Sequence, residues 1–85
     1  MSTEKIFRIS VRQVKAAREM LGWKQTDLSA ASGLSIVTVR RLEARDGDLL
    51  GRDETVAAIR AALEAAGVEF RDENGEVCVC LKKRQ

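Results

Sequence analysis

Residues 24–47 read KQTDLSAASGLSIVTVRRLEARDG, two short helical patterns joined by a glycine. Leu28 and Ala31 share one face of a helix over 25–32. Gly33 breaks that helix, because a tight turn asks for a positive φ that glycine adopts without a Cβ clash. Ser35 is placed to cap a second helix over 36–44, where Val39 and Leu42 lie three apart on one face. Ser29 is small where two such helices cross closely, and Leu34 is apolar at the turn. A lone glycine between helices would say little. Gln25, Leu28, Ser29, Gly33, Leu34, Val39 and Leu42 together describe a helix-turn-helix.

Upstream, Ser10 and Gln13 form a capping box, and Ile9 before the cap can staple onto Val14. Val11, Val14, Ala17 and Leu21 recur at helical spacing, which predicts a helix over 11–21. Gly22 ends it in the left-handed conformation, and Trp23 follows where an apolar residue packs back. Residues 1–5 carry no pattern and are expected to be disordered. Ile6 and Phe7 fit either a short strand or apolar cover for the core.

Downstream, 45–52 is expected to be a polar loop broken by Gly47 and Gly51. A last helix over 53–66 takes Asp53 as its N-cap, shows Val56, Ile59 and Leu63 on one face, and ends at Gly67. VEFRDENGEVCVCL (68–81) is then a hairpin, expected over about 68–82, with Asn74-Gly75 as a type I′ turn. That turn pairs Val68 with Leu81 and Phe70 with Val79 on one face. Glu69 then lies opposite Cys80, and Arg71 opposite Cys78, on the other. The expected fold is mainly α, a single domain over 1–85: a four-helix bundle with a C-terminal β-hairpin.

Composition narrows the function. With 85 residues, 33% of them charged and 45% hydrophobic, the chain is too apolar for disorder and too short for two domains. A domain this small buries only about 60–65% of its unfolded surface, so a partner subunit would help it. No apolar run is long enough to span a membrane, and the first ten residues lack a secretory h-region, so a cytoplasmic protein is expected. The chain has no histidine. That removes the commonest general base and a common zinc ligand, so no catalytic residue, cofactor or metal is expected. The charge is uneven: residues 1–24 carry six basic and two acidic side chains, and residues 53–76 carry two basic and seven acidic. A polyanion touching one side suits that distribution, as does an ordinary solvated helical surface.

With Val39 and Leu42 inward, the second helix of the motif turns Ser35, Ile36 and Val37 outward at its start, and Arg40 and Arg41 one turn later. Arginine forks onto guanine O6 and N7 in the major groove, and Ile36 and Val37 suit thymine methyl groups. Gln25 stands at a helix N-terminus, where free N–H groups and the helix dipole favour an anion such as phosphate. Lys24 and Arg12 add positive charge.

The stretch ARxxLGWKQTDLSxxSGLSxxTVRRLE (17–43), continued by ETVAAIRAALEAAGVEF (54–70), resembles the lambda-repressor-like, Cro/phage-repressor (XRE) helix-turn-helix family of bacterial DNA-binding regulators. The likeness covers about residues 11–70, with the hairpin where a fifth helix often sits and Lys24 where the family often has a serine or threonine N-cap. It implies a compact bundle of four or five helices. It further implies base contacts at Ile36, Val37 and Arg41, with Ser35 and Arg40 nearby, and a backbone phosphate held by Gln25. Arg18 and Glu43 match a family pair in which the arginine bridges to the glutamate and faces phosphate.

The expected partner is therefore double-stranded DNA with two-fold half-sites, bound at the nucleoid by a homodimer. Cys78 and Cys80 lie two apart in a strand, point to one side, and do not readily bridge each other. In a cytoplasm they should stay reduced, and they are expected at the dimer interface, with an exposed pair or a redox switch as the alternatives. Two rival readings stand beside this one: an antitoxin using the same DNA-binding face, and an adaptor whose helix-turn-helix surface binds protein.

Overall fold

The computed structural model describes residues 9–47, 49, 52–73 and 76–82, with the backbone alone at 72, 73, 76 and 77. Residues 1–8 with Ile6 and Phe7, Gly51, the Asn74-Gly75 turn and the side chain of Val77 lie outside what is described. Four helices, α1 (Val11–Leu21), α2 (Gln25–Ser32), α3 (Ile36–Glu43) and α4 (Asp53–Ala65), precede two strands, β1 (Val68–Glu73) and β2 (Glu76–Leu81). The strands pair antiparallel in the expected register, Val68 with Leu81 and Phe70 with Val79.

α1 begins as its sequence says. Ser10 Oγ accepts from the Gln13 N–H, and Gln13 Oε1 accepts from the Ser10 N–H. Ser10→Ala removes one half of that reciprocal cap and should cost about 1 kcal/mol. In a domain of this size a thermal melt should show a drop of about 4–8 °C. α1 ends with Gly22 at φ 71°, where the Trp23 N–H donates to Arg18 O and the Gly22 N–H to Glu19 O. That is the Schellman closure, which satisfies carbonyls the helix leaves open.

One core joins all the elements. Val11, Val14 and Ala17 of α1 meet Leu28, Val39, Leu42, Ile59 and Leu63 from the other helices. Val68 and Phe70 of β1 close it from below, so the hairpin is part of the core rather than an appendage. α2 touches both α3 and α4, and Gly33 at φ 80° makes the turn into α3.

Four expectations are corrected. Ala31 is exposed, and Leu28 is the only buried side chain of α2. An offset of three residues rotates the side chain by about 60°, enough to carry Ala31 off the edge of so narrow a contact. The stretch after α3 is not simply polar: Leu49 is buried in the core, and its N–H donates to Ile9 O while the Val11 N–H donates to Gly47 O. Asp53 is the first residue of α4 and Arg52 its N-cap, so the carboxylates of Asp53 and Glu54 complement the helix dipole rather than cap it. Ala44 and Ala66 terminate α3 and α4 as their C-caps, one residue earlier than the periodicity implied.

Candidate nucleic-acid interface

α3 is bedded on one side and bare on the other. Val39, Leu42 and Glu43 are buried, while Val37, Arg40 and Arg41 face solvent. Val37 is 65% exposed, an apolar β-branched side chain held in water. Ile36 beside it is half-buried, so the outward apolar feature is one residue rather than two. Ser35 is exposed, but its hydroxyl is engaged: Oγ accepts from the Thr38 N–H at 3.1 Å and donates to Thr38 Oγ1 at 3.0 Å. The cap thus fixes the start of α3 and leaves Ser35 little free donor capacity.

Glu43 is buried, 3% exposed, at the end of α3. Its Oε2 accepts from Arg18 Nε at 2.8 Å, and its Oε1 accepts from Arg18 Nη2 at 2.7 Å. That is a fork-on-fork ion pair, the geometry in which guanidinium and carboxylate match best. Arg18 Nη1 also donates to Trp23 O at 3.1 Å, and Gln25 Nε2 donates to Glu43 Oε1 at 3.0 Å. One carboxylate therefore ties the end of α1, the start of α2 and the end of α3 together. The Arg18 side chain keeps 15% of its surface in contact with solvent.

At the start of α2 Lys24 supplies the N-cap backbone, and its N–H donates to Asp27 Oδ2 at 2.8 Å. A lysine side chain has no acceptor, so the reciprocal half of a capping box is missing. The N–H groups of Gln25 and Thr26, in the first turn, have no intrahelical acceptor and remain available to an anion. Lys24 is exposed beside them. Arg12 is exposed too, but it sits in the first turn of α1, at the far end from Arg18, and the structure does not bring it into this cluster. Across the turn Ser29 Oγ donates to Leu34 O, fixing the angle between α2 and α3.

The family resemblance implied the Arg18–Glu43 pair, and the helix start pointed to Gln25 separately; neither revealed that they share one carboxylate. Nor did it give the Trp23 carbonyl a partner. The signal for Ser29 was its size, whereas its hydroxyl also bonds across the turn. Cys78 is exposed and Cys80 half-buried, both with free thiols, at the other end of the molecule's sequence. Among the described residues no group of three or more His, Cys, Asp or Glu is placed to hold a metal ion. No described helix is long and apolar enough to cross a membrane.

Residues 14–49 match the family model described as helix-turn-helix. The match runs from α1 through the loop after α3 and stops before α4 and the hairpin. Those residues are a helix-turn-helix of the lambda-repressor-like, DNA-binding kind. No curated protein matches the chain.

Proposed function

We propose that this lambda-repressor-like helix-turn-helix domain is a sequence-specific regulator of transcription that lays α3 in the major groove of duplex DNA. The observation that carries the reading is the bare side of α3, where Val37, Arg40 and Arg41 stand out from a helix whose other side is fixed by Val39, Leu42 and Glu43. Arg41 forks onto a guanine, Val37 meets a thymine methyl group, and Ile36, Ser35 and Arg40 flank them. Phosphates on one side of the groove are held by the free N–H groups of Gln25 and Thr26 with the remaining Gln25 amide hydrogen, Lys24 and the edge of Arg18. Arg12 adds a more distant positive charge. The protein acts by binding, in the cytoplasm of a bacterium, and needs no cofactor.

Two-fold half-sites follow if two copies join, because two recognition helices about 34 Å apart then meet successive turns of one duplex face. The hairpin is the element we assign to that contact. Deleting it is not a clean test, since Val68 and Phe70 are core residues.

The test of the DNA reading is a pair of variants on the duplex that the protein selects from a random pool. Arg41→Ala should lose about 1–3 kcal/mol of binding and relax the preference at one base position. Gln25→Ala should weaken good and poor duplexes alike, since phosphate carries no direct base information. An unchanged selected pattern in Arg41→Ala would remove that residue from base reading. Binding that ignores salt concentration would remove the nucleic acid altogether.

A further inference from the structure

β2 is an edge strand, and its register says which of its backbone groups are free. The Lys82 N–H donates to Gly67 O at 2.8 Å. Hydrogen-bonded and open pairs alternate along an antiparallel ladder. With the observed register, the pairs that bond across the hairpin are therefore Glu69 with Cys80, Arg71 with Cys78 and Glu73 with Glu76. Val77, Val79 and Leu81 direct their N–H and C=O groups the other way, along the outer edge of β2. Among the described residues no backbone group bonds to that edge. Three successive outward donor–acceptor sets are a template for another strand, and an identical strand meets them best about a two-fold axis.

We propose that two copies pair β2 to β2 about a two-fold axis at Val79, and that this pairing sets Cys78 of each chain opposite Cys80 of the other as a reversible thiol lock. The inference rests on the hairpin dimer named above and adds its register and its chemistry. With Val79 opposite itself, Val77 faces Leu81 in hydrogen-bonded pairs, and Cys78 faces Cys80 in the two open pairs between them. Open antiparallel pairs hold their Cα atoms about 4.5 Å apart with side chains on one face, within the span of a disulfide. Within one chain the two cysteines are about 6.7 Å apart along the strand with parallel side chains, so each finds its partner in the other copy. The axis is perpendicular to the sheet, so both thiol pairs emerge on the face that carries Glu69 and Arg71, away from the helices. An azo-type oxidant such as diamide closes the lock: two S–H bonds break, one S–S bond forms, and the two hydrogens reduce N=N to a hydrazine. A dithiol reverses it.

Complementation of single variants tests the register. Wild-type protein treated with diamide should run as a covalent dimer on a non-reducing gel. Cys78→Ser alone and Cys80→Ser alone should each stay monomeric on that gel, because each remaining thiol faces a serine. An oxidised mixture of the two should recover the dimer band, since Cys80 of one chain then faces Cys78 of the other. Cross-linking by either single variant alone, or none in the mixture, would overturn the Val79 register. Sedimentation of reduced wild-type protein and its binding to duplex DNA are read separately. A reduced dimer that never cross-links sinks the register while leaving the dimer. A reduced monomer that still binds DNA sinks both the register and the hairpin dimer, but not the DNA reading.

Discussion

Replacing Glu43 by alanine should cost about 3 kcal/mol of folding stability, the lower end of the range for removing one partner of a buried ion pair. The lower end applies because the Arg18 side chain keeps 15% of its surface in water, which softens the loss of its partner. Three hydrogen bonds to the carboxylate go at once, two from Arg18 and one from Gln25. A domain of this length has only about 5–10 kcal/mol in total. With an m-value of about 1–1.5 kcal/mol/M, the urea midpoint should fall by about 2–3 M. DNA affinity should fall on every sequence, since Arg18 and Gln25 both lose their anchor. Replacing both charged partners, as Arg18→Met with Glu43→Leu, should restore much of the stability but not the affinity. A single Glu43→Ala variant within about 1 kcal/mol of the wild type would show that the clamp does not hold the bundle together.

Leu28→Ala is expected to do comparable damage by a different route. Its side chain is fully buried and is the only one that α2 contributes to the core. Truncating a buried leucine costs about 2–5 kcal/mol, depending on how far the site collapses. Little collapse is available here, because Leu28 lies where α2 meets α3 and α4. An eight-residue helix is also too short to persist without its tertiary anchor. Amide exchange over residues 25–32 should therefore accelerate ahead of that in α1 and α4. Ala31→Ser, on the exposed side of the same helix, should stay within about 0.5 kcal/mol. If the two substitutions cost the same, the orientation of α2 described above is wrong.

The contrast between Leu28 and Ala31 marks where the sequence stopped being informative. Patterns that close within a few residues were readable: the Ser10–Gln13 box, the glycines ending α1 and α2, the Ser35 cap and the hairpin register all depend on local stereochemistry. Burial in a short helix depends on what lies across from it, and eight residues carry too few apolar positions to define an arc. Leu49 was missed because its core position depends on a backbone bridge from its own N–H to Ile9 O, forty residues away in sequence. The candidate site divides the same way. The outward positions of Val37, Arg40 and Arg41 follow from helical geometry once Val39 and Leu42 are inward, whereas Ile36, three residues before Val39, turns half inward. That Gln25 shares Glu43 with Arg18 depends on three helices meeting, which no spacing encodes.

That meeting point has an optical consequence. Trp23 is the chain's one tryptophan. Its backbone is held from both sides by one residue, its N–H donating to Arg18 O and its carbonyl accepting from Arg18 Nη1. The half-buried indole therefore sits on the joint between α1 and α2, and all ultraviolet-excited tryptophan emission from the protein originates there. In Glu43→Ala that emission should change in wavelength or intensity under native conditions, before any unfolding begins. Leu28→Ala leaves both Arg18 bonds to the Trp23 backbone in place, and should keep the native spectrum nearer the wild type and shift mainly its melting. A single fluorophore thereby separates loosening of the clamp from loss of the core.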